Sequence, residues 1–90
     1  IDSEIISISD ILIYPNPTKG YSNISFNSIV SQDIYLKIYN PIGEEVRSIN
    51  LSSFNGIFNR KINLLGYAKG IYFIEIITNE GVITQKLILQ

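Results

Sequence analysis

The chain has no histidine, no cysteine, no methionine and no tryptophan. Without histidine, neither a Ser-His-Asp nor a Cys-His constellation can be built from these residues, and the commonest general base is missing. Zinc loses both of its usual ligands. No disulfide can form, so a small domain has to rely on its core alone; this does not by itself fix a compartment. Charge is equally sparse. Seven basic and eight acidic residues give a net charge of −1 and are dispersed along the chain, which leaves no electrostatic footprint for nucleic acid or an anionic membrane. No apolar run approaches the roughly 20 residues of a spanning helix. The sequence opens on Ile1 without methionine or a signal peptide, and the expectation is a piece of a longer protein.

What is present is hydrophobic and β-branched. Ninety residues, 46% of them hydrophobic, make one domain. A chain of this size buries roughly 63–65% of its unfolded surface, enough for a real core but not a large one. Ile6, Ile8, Ile11 and Ile13 alternate around Asp10 and read as a strand up to Tyr14, with a possible break before it. Pro15-Asn16-Pro17-Thr18-Lys19-Gly20 stops it, because the prolines remove backbone donors and fix φ, and Gly20 is expected in a backbone conformation closed to other residues. Ser22 to Asn27 carries Ile24 and Phe26 on one face. Asp33 to Tyr39 alternates cleanly, with Ile34, Leu36 and Ile38 inward. Asn40-Pro41-Ile42-Gly43 is a turn. Strands follow over 45–51 and 58–64, the latter with Phe58, Ile62 and Leu64 on a shared face. Residues 71–78 and 82–89 form a hairpin around Asn79-Glu80-Gly81, where glycine suits a left-handed position. About seven strands with recurrent turn signals predict an all-β, immunoglobulin-like antiparallel sandwich or small barrel. Tyr72, Ile74 and Ile76 join the expected core. Residues 1–10, rich in serine and acid, read as a linker, leaving 11–90 as the domain.

Catalysis finds little to stand on, and an enzyme is not expected. Calcium could use oxygen ligands from Asp2, Glu4, Asp10 or Asp33, but no D-x-D-x-D-G loop is present, and solvated acids near turns are the simpler reading. Glu44 and Glu45 are adjacent, so in a strand they point to opposite faces and cannot act on one bond. Glu75 is the one carboxylate inside an apolar strand, and it is expected to face solvent or pair with Lys86 on the neighbouring strand. Tyr35 and Tyr39 form an outward stripe on which a sugar ring could stack, although exposed tyrosines on sheets ordinarily pack across strands. A carbohydrate-binding module and an immunoglobulin-like spacer or adhesive module are therefore the alternatives to any more specific function. No cofactor and no metal site is expected.

Four pieces in order carry more information than any one of them: YPNPTKG near the front, YNPIGEEV, AKGIYFIEI, and GVITQKLILQ last. Together they resemble the C-terminal sorting domain of type IX secretion cargo proteins, of the type A class, over residues 11–90. Two departures are visible: Asn40 and Glu44 stand where such domains usually have an aspartate and a basic residue, and the sequence finishes on Gln90 rather than lysine. Asn in place of Asp keeps the turn chemistry, since both bond their own backbone.

The resemblance implies a transport label that folds in the periplasm into a seven-strand sandwich. The label directs an upstream cargo in the same chain through an outer-membrane translocon and is then removed by a surface sortase, leaving the cargo at the cell surface or secreted. The family motifs fall on Pro15, Asn16, Pro17, Gly20, Gly43, Gly70 and Tyr72. The recognition signal falls on Gly81, Lys86, Leu87, Ile88, Leu89 and Gln90. An apolar strand with a lysine inside it offers a partner both backbone donors and side-chain anchors, provided that it lies at a sheet edge.

Overall fold

The computed structural model describes residues 7–90. Residues 1–6 of the expected linker, with Asp2, Glu4 and Ile6, lie outside that range. The alternation is realised as five strands: β1 (Ile8–Tyr14), β2 (Tyr21–Tyr39), β3 (Glu45–Asn63), β4 (Gly70–Thr78) and β5 (Gly81–Leu89), with no helix among the described residues. They form one curled antiparallel sheet in the order β1-β2-β4-β5, with β3 paired to β2.

Five strands rather than about seven is a correction with a clear physical cause. Residues 28–32 and 52–57, read from the sequence as breaks, are bulged rather than broken. The β2–β3 pairing shifts register between Ser28 and Gln32 and again between Gln32 and Ile34. A bulge bends a ribbon without surrendering its hydrogen bonds. Here Ser53 takes a positive φ of 46°, and its N–H donates to Asp33 Oδ1 at 2.9 Å. The two halves of β2 then find different neighbours: 23–28 pair with β1 and 35–39 with β4, while β3 follows both halves. Arg47 Nη2 donates to the Asn63 carbonyl at 2.9 Å, which ties the two ends of the folded-over β3 together.

The inner face of the curl is the core. Ile24, Phe26, Ile34, Leu36, Ile38, Tyr72, Ile74 and Ile76 are all buried, as period-2 alternation predicts. Phe58, Ile62, Leu64, Leu87 and Leu89 complete it. Phe26 and Phe58 stack at 4.9 Å between centroids, with Phe54 edge-on to both. Full burial of each large apolar side chain contributes roughly 1.5–3 kcal/mol.

Curling brings the chain flanking β1 against β5 and the turn before it, at two points. At one end Ser7 N–H and Oγ both donate to Glu80 Oε1, the former at 3.1 Å. Buried Gln32 braces that junction: its Nε2 donates to Ser7 Oγ (2.9 Å) and Ser28 Oγ (3.2 Å), and its Oε1 accepts from Asn79 N–H (3.4 Å). At the other end Thr18 bridges Leu89 in parallel. Among the described residues no buried side-chain nitrogen or oxygen lacks a partner, as the cost of an unpaired buried polar group requires.

Candidate functional site

The P-x-P-x-x-G segment leaves β1 as a tight corner. Both of its proline bonds, Tyr14-Pro15 and Asn16-Pro17, are cis. Ser22 Oγ donates to the Pro15 carbonyl at 3.0 Å, Thr18 Oγ1 donates to the Tyr21 carbonyl, and Gly20 N–H donates to Thr18 Oγ1 at 3.2 Å. The sequence led us to expect Gly20 in a backbone conformation closed to other residues. That is corrected: Gly20 is not among the positive-φ glycines. It is small because a Cβ there would come within 2.4 Å of the Leu65 side chain, which folds over it.

This corner lies along the outer edge of β5 and is bonded to it. Asn16 Nδ2 donates to the Lys86 carbonyl at 2.7 Å, and Ile88 N–H donates to Asn16 Oδ1 at 2.9 Å. One residue pair further on, Thr18 N–H donates to the Ile88 carbonyl and Gln90 N–H donates to the Thr18 carbonyl, both at 2.8 Å. The side-chain amide of Asn16 thus does what a peptide group of a neighbouring strand would do, and Thr18 continues with its own backbone. Two motifs some seventy residues apart in sequence are one structural unit.

The recognition residues expected from the sequence divide sharply by face. Leu87 and Leu89 are 0% and 4% exposed and belong to the core, whereas Ile88 is 39% exposed, and Lys86 and Gln90 are also exposed. A partner meeting the folded domain reaches Lys86, Ile88 and Gln90 but not the two leucines. Gly81 opens β5 with φ +140° and pairs with Thr78, so the hairpin loop is Asn79-Glu80.

The remaining family positions build the same end of the molecule. Asn40 Oδ1 accepts from the N–H groups of Ile42 (3.1 Å) and Glu44 (2.9 Å), and Gly43 N–H donates to the Asn40 carbonyl (2.9 Å). Asparagine therefore keeps the turn that aspartate would make. Gly70 has φ +143°, and a Cβ on it would approach the Pro41 ring within 2.7 Å, so the G-x-Y and N-P-x-G motifs are in direct contact. Buried Tyr72 donates its hydroxyl to the Ala68 carbonyl, and burial, with Tyr67 nearby, pushes the phenol above its ordinary 10.0.

Outward on the same sheet, Tyr35, Lys37 and Tyr39 of β2 stand beside Ile77, Glu75 and Phe73 of β4. Of the two expectations for Glu75, solvent or a pair with Lys86, the register favours neither directly. Glu75 stands opposite Lys37 and Thr84, Lys86 stands opposite Phe73, and Glu75 accepts from the Tyr39 phenol. The hydrogen bond to Glu75 raises the Tyr39 phenol, and burial and the charges of Glu75 and Glu45 act in the same direction. Glu44 and Glu45 serve separately: Glu44 Oε1 accepts from Asn40 Nδ2 at 2.9 Å, and Glu45 lies 3.7 Å from Lys37 Nζ. Asp10 and Asp33 are in bulges on different parts of the sheet, and among the described residues no cluster of three potential metal ligands occurs. No helix of the described chain is long and apolar enough to cross a membrane.

Comparison with known proteins agrees with this arrangement of motifs. Residues 12–90 match the secretion system C-terminal sorting domain. The chain is also 38% identical over 65 residues to beta-agarase A of Zobellia galactanivorans, a stretch that covers 71% of this chain and 11% of that relative. The chain thus spans only a small part of the length of the protein it matches. It belongs to the family of type IX secretion C-terminal sorting domains.

Proposed function

We propose that residues 12–90 are a transport label: an upstream cargo in the same chain is carried through the outer-membrane translocon of a type IX system, and a sortase then removes the label. The observation that carries this is the family match over nearly the whole chain. In this reading the cargo ends at the cell surface or in the medium after passing through the periplasm. The domain is not a catalyst and needs no cofactor; it is handled by others. The geometry that supports it is β5 at the end of the sheet order, with Lys86, Ile88 and Gln90 outward and Leu87 and Leu89 anchoring the strand to the core. Strand edges and alternating side chains are what a partner that adds a strand uses for affinity and for specificity, respectively.

The test is a soluble reporter fused ahead of residues 1–90, expressed in matched cells with and without a type IX machinery. The expected result is reporter at the surface or in the medium only where the machinery is present, with a fusion lacking residues 81–90 retained in the periplasm. Export of the truncated fusion would place the signal elsewhere and leave an immunoglobulin-like spacer as the better description.

A further inference from the structure

The outer edge of β5 is half covered. Lys86 and Ile88 turn their backbone groups toward that edge, as the bonds to Asn16 and Thr18 show. Backbone groups of alternate residues in a strand face the same side, so Val82 and Thr84 present theirs to the same edge. No partner for them exists among the described residues, since β5 pairs only with β4 and bridges Thr18 only at Leu89. The half beyond Lys86 is satisfied by residues 16–18, which meet it in parallel and supply a side-chain amide where a second strand would supply a peptide.

We propose, building on the sorting reading, that this edge is the docking surface for a β-strand of a partner protein added in parallel orientation, and that residues 16–18 are a displaceable stand-in for it. The partner's strand pairs first with the open Val82–Thr84 stretch and then displaces Asn16 and Thr18, extending the pairing toward Gln90. The occupant is a strand, and parallel, because the fold already fills half of this edge with an extended segment in that orientation. The clamp is built to be exchanged at low cost. Each bond that residues 16–18 give up is replaced by one of the same kind from the incoming strand, so displacement is close to neutral in hydrogen bonds. Meanwhile the covered half cannot pair with a second copy of the domain, the hazard that an unprotected edge carries.

Proline tests this directly. On an edge strand it is tolerated where its missing N–H would have faced outward, but it cannot donate to an added strand. Thr84→Pro should leave the melting temperature of the purified fusion close to wild type while surface reporter falls about tenfold or more, the loss expected for one buried main-chain hydrogen bond. Thr84→Val, which keeps the N–H, should be exported normally. If Thr84→Pro unfolds the domain, Val82→Pro asks the same question one step along the edge. Asn16→Ala reads the clamp: export at or above the wild-type rate with the fold intact supports displacement. Lost export with the fold intact would mean that the partner reads the corner itself, and overturns the proposal. Wild-type export of a folded proline variant also overturns it, leaving the sorting reading standing. A wild-type fusion that is never exported overturns both.

Discussion

Ile88 donates its backbone N–H to the side-chain oxygen of Asn16 at 2.9 Å, across 72 positions of sequence. The other half of the same amide donates to the Lys86 carbonyl, so one short side chain satisfies two main-chain groups of β5. Few residues can do both. Asn16→Ala should destabilise the domain by about 1–2 kcal/mol, the usual cost of removing hydrogen bonds at a partly exposed site. Asn16→Asp keeps the acceptor for Ile88 but sets a carboxylate oxygen against the Lys86 carbonyl. It should cost more than alanine at pH 7 and recover in part below about pH 4, where a protonated carboxyl can donate. Chemical denaturation of the three proteins at the two pH values measures this.

How much of this was legible in the sequence depends on range. The core residues were, because alternation reports which side of a strand is inward, and Ile24, Phe26, Leu36 and Ile74 obey it. The family motifs were also legible as motifs. Their joining was not: nothing in P-N-P-T says that Asn16 faces a strand that begins at Gly81. The strand count failed at residues 28–32 and 52–57 because polar, small residues look alike in a turn and in a bulge. Asp33 held against Ser53 N–H decides between them, and that contact is long-range. The junction of buried Ser7 and Gln32 with Glu80 gave no signal either. A serine, a glutamine and an acid in separate polar stretches read as solvated until the sheet curls.

Gly70 and Gly20 belong to the same family pattern for different reasons, and substitution should separate them. Gly70 combines φ +143° with a Cβ position 2.7 Å from the Pro41 ring, which is rigid. Gly20 has an ordinary φ, and its neighbour Leu65 is 53% exposed and able to swing aside. Gly70→Ala should therefore cost about 2 kcal/mol or more, and Gly20→Ala less. Melting temperatures in the reverse order would contradict this account of the two positions.

Alkaline pH should weaken the fold through its tyrosines. The phenols of Tyr72 and Tyr39 are both raised above 10.0, the first by burial and the second by its hydrogen bond to Glu75. A folded-state pKa above the unfolded value means that the native state favours the neutral phenol. The resulting stabilisation is complete below about pH 10 and is lost as pH rises through the folded-state values. Melting temperature should fall above pH 10, and less steeply in Tyr72→Phe and Tyr39→Phe. The Tyr72 variant should also be weaker at neutral pH, because it gives up the bond to the Ala68 carbonyl.

Leu87 and Ile88 are neighbours that the fold assigns opposite tasks, and this separates a label read as a whole fold from one read along a strand. Leu87 is fully buried, so Leu87→Ala should cost about 2–5 kcal/mol through lost contacts and a cavity. Ile88 points outward beside Lys86 and Gln90, and Ile88→Ser should cost less than about 1 kcal/mol, since its backbone bonds to Asn16 and Thr18 remain. If β5 is the face that a translocon partner touches, the folded Ile88→Ser fusion should reach the surface in reduced amount. Export of Leu87→Ala should be poor only at temperatures where it is unfolded. Normal export of Ile88→Ser at every temperature would show that the partner reads the backbone edge or another surface, and not this side chain.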